Sequence, residues 1–507
     1  MLEKSKALFS QWNDSNLRYC HWKSNEHLVA GLDGETDLDV LLCEEDRKTG
    51  SDFLRKNGFL CCYSQFGSRY PNVEDWLGLD EETGRLLHLH LHYSLVTGHL
   101  GLKEYDLPWA EECLRTRCID DSTGVYIADP NLELLTLYVR LILKSHRKSL
   151  RLAKDGRYRM SESFSVEINY IKQFISREKV AAIIECYFRE SAQELTNIVC
   201  SETFTSESYV RLYAIVTKTM RSYSRYHGLG LMIRKFYYSL CIRGAAWLRH
   251  NTKSMLITRK VINPRGGVSI AFVGQDGSGK STVTNDIQRW LTWKLDASRF
   301  YLGSGDHYNS LLKRLLVHRK RLMISNDNDL RNRDMGKKEN SMRSNNGAKS
   351  LLRAIILVSQ MLAVARRAYR EVRRAEHYRR HGGIPLFDRF PQIQFEGIYD
   401  GPKISEWCKK NAYDGLLFKW FARIEQSYIE KCQSFSPNLL FKLQLSPEES
   451  IRRKPKDDAK TIVLKHELTK ILAFPGAREV IVDAEQDYSR ELLQIKREIW
   501  QYLLQNQ

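Results

Sequence analysis

Residues 268–291 read VSIAFVGQDGSGKSTVTNDIQRWL, and this stretch constrains the fold more tightly than any other in the chain. The apolar run 268–273 predicts a short strand buried on both faces, the kind that parallel sheets use. The loop GQDGSGKS follows at once, and a helix is expected to begin near Thr282. The spacing is G-x-x-x-x-G-K-[ST] in the strand–loop–helix setting that this pattern needs. Gly274, Gly277 and Gly279 let the backbone curl so that its N–H groups face phosphate oxygens. Asp276, Ser278 and Thr282 belong to the same phosphate-cradling segment. Lys280 is expected to reach the β- and γ-phosphates, and Ser281 to offer its hydroxyl to Mg²⁺. The helix N-terminus adds its positive dipole end. The expected ligands are therefore ATP and Mg²⁺.

Beyond this segment, helical patterns alternate with strands. A long helical pattern over about 351–380 ends at His381-Gly382-Gly383, with the glycines as a C-cap. Residues 384–387 predict a buried strand that ends in Asp388-Arg389-Phe390. Another strand is expected over 438–445, ahead of Ser446-Pro447-Glu448-Glu449 and the basic run Arg452-Arg453-Lys454-Pro455-Lys456. A last strand over 479–482 leads through Asp483-Ala484 into a closing helix. Such alternation predicts a parallel sheet covered by helices on both faces.

GQDGSGKST, a helix ending in GG, a strand ending in DRF and then PNLLFKLQLSPEESIRR together resemble the thymidylate kinase family of P-loop kinases. The likeness covers roughly 266–507. It implies that Asp388 supports Mg²⁺ and the acceptor, that Arg389 and the helical Arg367 bind the acceptor, and that Arg452 and Arg453 close over the transferring phosphoryl group. Phosphoryl transfer asks for positioned cations rather than covalent chemistry, and the guanidinium fork suits it. The chain also departs from the family. The bacterial enzymes carry a TREPGG-type segment after the second strand, where this chain has FYLGSGDHYNS (300–310). An insertion rich in Lys, Arg, Asn and Ser comes next, at about 313–349, and is expected to be a mobile loop. These changes disfavour thymidylate as the acceptor and leave ATP binding untouched.

The first part of the chain has a different pattern. LRYCHWKSN (17–25) precedes a glycine-containing stretch at 31–35 and then TDLDVLL (36–42). Asp37 and Asp39 lie two apart on an apolar strand, so both face one side and could hold Mg²⁺. This resembles the nucleotidyltransferase superfamily that includes DNA polymerase beta and the aminoglycoside nucleotidyltransferases. The resemblance implies a third carboxylate on a later strand. That strand, LHLHLHY (87–93), instead puts His88, His90 and His92 on one face, with His90 about where the acid belongs. Imidazole is a poor ligand for hard Mg²⁺. A degenerate site, a softer metal such as zinc and a working transferase all remain open. Residues 130–250 are mostly helical in pattern, with Asn131 as the expected first cap and helices around 166–176, 179–188 and 208–223. They resemble the helical extension that such transferases append.

The expected organisation is an α+β nucleotidyltransferase-like domain at 1–128, a helical extension and linker at 129–262, and an α/β P-loop kinase domain at 263–507. Lys and Arg number 79 against 61 Asp and Glu, a formal net charge of +18, which favours anionic partners. A small-molecule phosphate acceptor heads that group; nucleic acid and peripheral contact with an anionic membrane stay open. Residues 231–261 are basic with interspersed aromatics, fitting either a membrane-surface helix or an interdomain linker. No run reaches the roughly 18–20 apolar residues that span a bilayer. Eleven cysteines without C-x-x-C spacing, and no signal peptide, predict reduced thiols and a cytoplasmic location. The leading function is an ATP-dependent kinase. The alternatives are an ATP-switched nucleic-acid-binding or signalling module and a working nucleotidyltransferase with an accessory kinase domain. Acceptor-dependent turnover of ATP, salt-sensitive nucleic-acid binding without turnover, and pyrophosphate release distinguish the three.

Overall fold

The computed structural model describes every residue except 65–69, 100, 146, 253–256, 258, 303–341, 454–458 and 507, and it leaves out the side chains of 249–252 and 342–349. The expected insertion at 313–349, most of 300–310 and the Lys454-Pro455-Lys456 run therefore fall largely outside the described residues. The chain divides into two compact units. The first comprises 1–267 with 294–296 and 493–507, and the second 268–293 with 297–492.

In the first unit the strands are β1 (Tyr19–His21), β2 (Asp37–Leu42), β3 (Phe59–Ser64), β4 (Val73–Leu79), β5 (Leu86–His92), β6 (Leu95–Thr97), β7 (Tyr105–Leu107), β8 (Cys118–Ile119), β9 (Tyr126–Ile127) and β10 (Lys260–Val261). Eight of them form one sheet in the order β10-β3-β4-β5-β2-β1-β9-β8, while β6 and β7 pair separately. The alternation in β5 sorts its side chains, with leucines on one face packing against Trp76 and Trp12 and imidazoles on the other. Register then fixes what the imidazoles meet. On β2, Asp37 pairs with His88, Asp39 with His90 and Leu41 with His92, and on β4 Asp75 pairs with His90.

The helix Pro130–Leu143 is apolar nearly all round and correspondingly buried along almost its whole length. Its cap is Asp129, not Asn131. The Asp129 carboxylate accepts from the Asn131 N–H at 2.7 Å, and Pro130 takes the first helical position, where a missing N–H costs nothing. The helix also buries Glu133, whose carboxylate accepts from the side chain of Asn25 at 2.7 Å. Burial pushes Glu133 up to about 8; the Asn25 hydrogen bonds oppose this, and the charges of Glu167 and Glu26 add to it. Folded Glu133 thus keeps its proton at neutral pH while the unfolded chain gives it up, so stability drains as pH rises from the ordinary carboxylate range towards 8. Glu133→Gln is expected to stabilise the protein by about 1–3 kcal/mol near pH 7.5 and by nothing near pH 4. Thermal unfolding at the two pH values checks it, and equal effects at both would contradict it.

The second unit is a five-stranded, all-parallel sheet in the order β12-β13-β11-β14-β15, with β11 (Ile270–Gly274), β12 (Ala297–Tyr301), β13 (Ile384–Asp388), β14 (Leu439–Gln444) and β15 (Arg478–Asp483). Helices cover both faces, as the alternating pattern predicts. Every residue of β11 and β13 is buried, and Phe272 stacks on Phe441 with centroids 5.2 Å apart. The long helix is Met342–Arg380, starting earlier than the apolar pattern suggests. After β11 the chain moves to one side of the sheet and after β13 to the other. The carboxyl end of β11 therefore lies at a topological switch point, where open α/β sheets hold ligands.

Candidate functional site

The glycine-rich loop leaves β11 at this switch point and enters the helix Lys280–Leu291. Gly277 and Gly279 have φ of 90° and 82°, which a side chain would strain. A Cβ on Gly274 would lie 2.4 Å from the Leu443 carbonyl oxygen on β14, so the loop can press against its neighbour only as glycine. The Lys280 ammonium is folded into the loop and donates to the carbonyls of Gln275 and, at 2.9 Å, Gly274. Ser278 is buried, Asp276 partly so, and Ser281 and Thr282 open the first helical turn to solvent. Gln275 serves the frame: its amide donates to Leu445 O at 2.6 Å and accepts from Leu445 N at 3.0 Å.

Asp388, at the end of β13, is fully buried. Its Oδ2 accepts from Ser281 Oγ at 2.7 Å and pairs with the Arg299 guanidinium, whereas its Oδ1 is buried with no hydrogen-bond partner among the described residues. Arg389 has a φ of 73°, a conformation that costs a non-glycine residue on the order of 1–3 kcal/mol. Its guanidinium lies 3.1 Å from Asp276 and 3.8 Å from Asp400. Asp400 and its neighbour Tyr399 are also left-handed, so three such residues meet beside the loop. Burial raises the Asp400 carboxyl, and the charges of Arg389, Lys403 and Lys280 offset that only in part. Asp276 goes the other way. Burial would raise it, but the hydrogen bond and charge of Lys465, with Arg389 and Lys280, bring it to about 2.

The two sequence-predicted arginines of 452–453 part company. Arg453 pairs with Glu449 at 2.7 Å and reaches the Gly277 carbonyl at 3.3 Å. Arg452 is 78% exposed and pairs with Glu449. Arg367 is exposed on the long helix. The face of that helix carrying Gln360, Met361, Val364 and Ala368 instead lines a cavity of about 250 Å³, which Asp400 and Lys403 close from the other side. Three residues around the loop escape the sequence reading: Arg299 on β12, Lys465 on the helix Ala459–Ile471, and Asp400 in the loop after β13. None sits in a recognisable motif, and each arrives from an element remote in sequence.

The first unit has its own polar cluster. Asp39 lies 2.7 Å from Lys23 and 3.1 Å from His92, Asp75 lies 2.8 Å from Lys260 and 3.1 Å from His90, and Asp37 is paired with His88 and Lys294. The third carboxylate near Asp37 and Asp39 is therefore Asp75 on β4, opposite His90 rather than in its place. Its only signal was the strand pairing, which a sequence does not print. Ligand atoms of Asp37, His88 and His90, and of Asp39, His90 and His92, come within 4.8 Å of one another. All three carboxyls are held well below the usual range. Burial opposes this and is outweighed, at Asp37 by His88, His90 and Lys294, at Asp39 by Lys23, His90 and His92, and at Asp75 by His88, His90 and Lys260. Burial lowers His92 to about 4, against its Asp39 hydrogen bond. A polar cavity of about 470 Å³ opens beside Asp75, walled by Arg47, Arg55, Tyr63, Tyr70 and Glu74.

No family model matches the chain. It is 27% identical over 236 residues to the "Uncharacterized ATP-binding protein YghR" of Escherichia coli K12, a match covering 45% of this chain and 86% of that one. It is 26% identical to YghS of the same strain, also named an uncharacterized ATP-binding protein, over 46% of this chain and 92% of the other. Among solved structures, deoxyadenosine kinase from M. mycoides with bound dATP aligns with 46% of this chain and 99% of its own at 14% identity, with a TM-score of 0.25. That score carries no weight beside the strand order and loop geometry. The chain is thus similar, over a little under half its length, to proteins named for ATP binding.

Proposed function

We propose that the second unit, 268–293 with 297–492, which makes up most of the expected domain at 263–507, is an ATP-dependent phosphotransferase that moves the γ-phosphoryl group to a small acceptor bearing a hydroxyl or phosphate. The observation that supports this best is the pairing of Ser281 with Asp388 directly beside the Lys280 loop. Asp388 Oδ1 is a buried carboxylate oxygen with no hydrogen-bond partner among the described residues, next to an exposed serine hydroxyl at the start of the helix. Oxygen donors of this kind suit Mg²⁺, so the residues fit the ion, and Ser281 and Asp388 would hold it. When bound there it would neutralise charge on the phosphate oxygens. Lys280 and Arg453 bring positive charge to the loop, and Arg389 is positioned where loop and cavity meet. The 250 Å³ cavity is mostly apolar with a few polar groups, which fits an acceptor held by one flat or apolar portion. Asp400 on its wall is placed to accept a proton from an acceptor hydroxyl.

Asp388→Asn should preserve the fold, because the amide keeps an acceptor for Ser281, yet lower ATP turnover about 10²–10³-fold at saturating Mg²⁺. Wild-type turnover in that variant would remove Asp388 from the site. The broader reading is tested by an acceptor screen with labelled ATP read by mass spectrometry. A phosphorylated acceptor supports it. ATP binding without turnover, joined to salt-sensitive RNA or DNA binding, would replace it with the nucleic-acid-binding or signalling reading.

For the first unit we propose a nucleotidyltransferase-like domain over 1–128 with a helical extension over 129–262, and a polar centre that no longer performs the transfer. What supports this is the lysine beside each of Asp37, Asp39 and Asp75. Each ammonium offsets negative charge that a pair of divalent ions would use, so metal would have to displace three lysines.

A further inference from the structure

The helix Gly228–Thr252 in the first unit is 25 residues long and contains no aspartate or glutamate. Leu229, Met232, Ile233, Phe236, Tyr237 and Leu240 are 72%, 59%, 60%, 72%, 61% and 60% exposed. Their spacing of three and four puts all six on one face. The opposite face is the anchored one. Lys235 pairs there with the fully buried Glu104 at 2.6 Å, and Leu231, Tyr238 and Ile242 are half-buried. The fold therefore grips the helix by its back and turns six large apolar side chains outward. Arg234 and Arg243 are exposed beside them.

We propose that this face lies in the surface of an anionic lipid bilayer, with the helix axis in the membrane plane. Charge chooses the occupant. A second copy meeting the same patch about a two-fold axis would set the arginines of one helix against those of the other, with no acid anywhere in the helix to answer them. Anionic headgroups supply that missing charge, and the aromatic and aliphatic side chains bury at the headgroup–acyl boundary. The helix does not cross the bilayer: no helix among the described residues is long and apolar enough to do so.

The test is co-sedimentation of the full chain with phosphatidylcholine vesicles, with and without phosphatidylglycerol. Wild-type protein is expected to sediment with the mixed vesicles and about tenfold more weakly with phosphatidylcholine alone. Phe236→Ser/Leu240→Ser should abolish sedimentation, and Arg234→Glu/Arg243→Glu should weaken it about tenfold or more, with the far-UV circular dichroism of both unchanged. No binding to the mixed vesicles, or equal binding by wild type and the Phe236→Ser/Leu240→Ser protein, would overturn the proposal. So would a dimer in light scattering that the same double variant converts to monomer, because the face would then belong to a second copy.

Discussion

Lys280→Ala is expected to leave the second unit folded and to cut ATP turnover by about 10³-fold or more. The Lys280 ammonium is almost wholly enclosed and is held by carbonyls of the loop itself. A cation in that position has no packing role that alanine would leave grossly unfilled, since the helix Lys280–Leu291 is anchored by Val283, Ile287 and Leu291 instead. What disappears is the charge that meets the β- and γ-phosphates as negative charge shifts between them. The helix keeps its N-terminal N–H groups, so ATP binding should weaken less than turnover. The measurement is steady-state ADP formation alongside ATP affinity by calorimetry and a thermal melt. A melt within a few degrees of wild type with turnover lost supports the kinase reading. Full turnover by the folded variant would remove the loop from the chemistry.

What a sequence can show here depends on distance along the chain. The loop, its glycines and the strand before it are neighbours in sequence, so their shape follows from local sterics, and the parallel sheet follows from the alternation of buried strands and helices. The face shared by His88, His90 and His92 was likewise legible, because a period of two is a property of one strand. Partners brought in by register were not. Asp75 meets His90 only because β4 lies antiparallel to β5, and Arg299 meets Asp388 only because β12 runs beside β13. Nothing in VEDWLGL or ASRFY announces either. Compensating lysines are harder still. Lys23, Lys260 and Lys294 lie far apart in the chain, and in a protein with 79 basic residues none stands out. The Asp129 cap shows the same limit at short range: Asp and Asn both cap well, and the proline between them decides which one does.

Asp39→Ala is expected to destabilise the first unit by about 3–5 kcal/mol, and wild-type protein to release no pyrophosphate from any nucleoside triphosphate. The Asp39 side chain is 14% exposed and that of Lys23, whose ammonium lies 2.7 Å from it, 17%, so this is a largely buried ion pair, with His92 and His90 as further donors. Removing the acid strands Lys23. Burial already lowers that lysine, with Asp39 the leading opposing influence and Arg140 adding to the depression, so the variant should shed its proton rather than keep the charge. Asp39→Asn, which retains a hydrogen-bond acceptor, should lose less. The depressed pKa of Asp39 gives the sign with pH: its contribution is complete above the unfolded value near 4 and fades only as pH falls towards the folded one. Asp39 itself therefore adds no pH dependence between pH 6 and 8, but the neutral Lys23 of the folded variant does: the unfolded chain still holds that proton, so the gap between wild type and Asp39→Ala should narrow as pH rises, by up to about 1.4 kcal/mol per unit. A metal-assembling role predicts the opposite pattern, with little stability lost on removing repulsive acids and activity lost instead. Pyrophosphate assays in Mg²⁺ and in Mn²⁺, with Asp37→Ala/Asp39→Ala as the control, decide between them. Robust release by wild type that the double variant loses would show that lysines give way to metal, and the first unit would then be a working transferase.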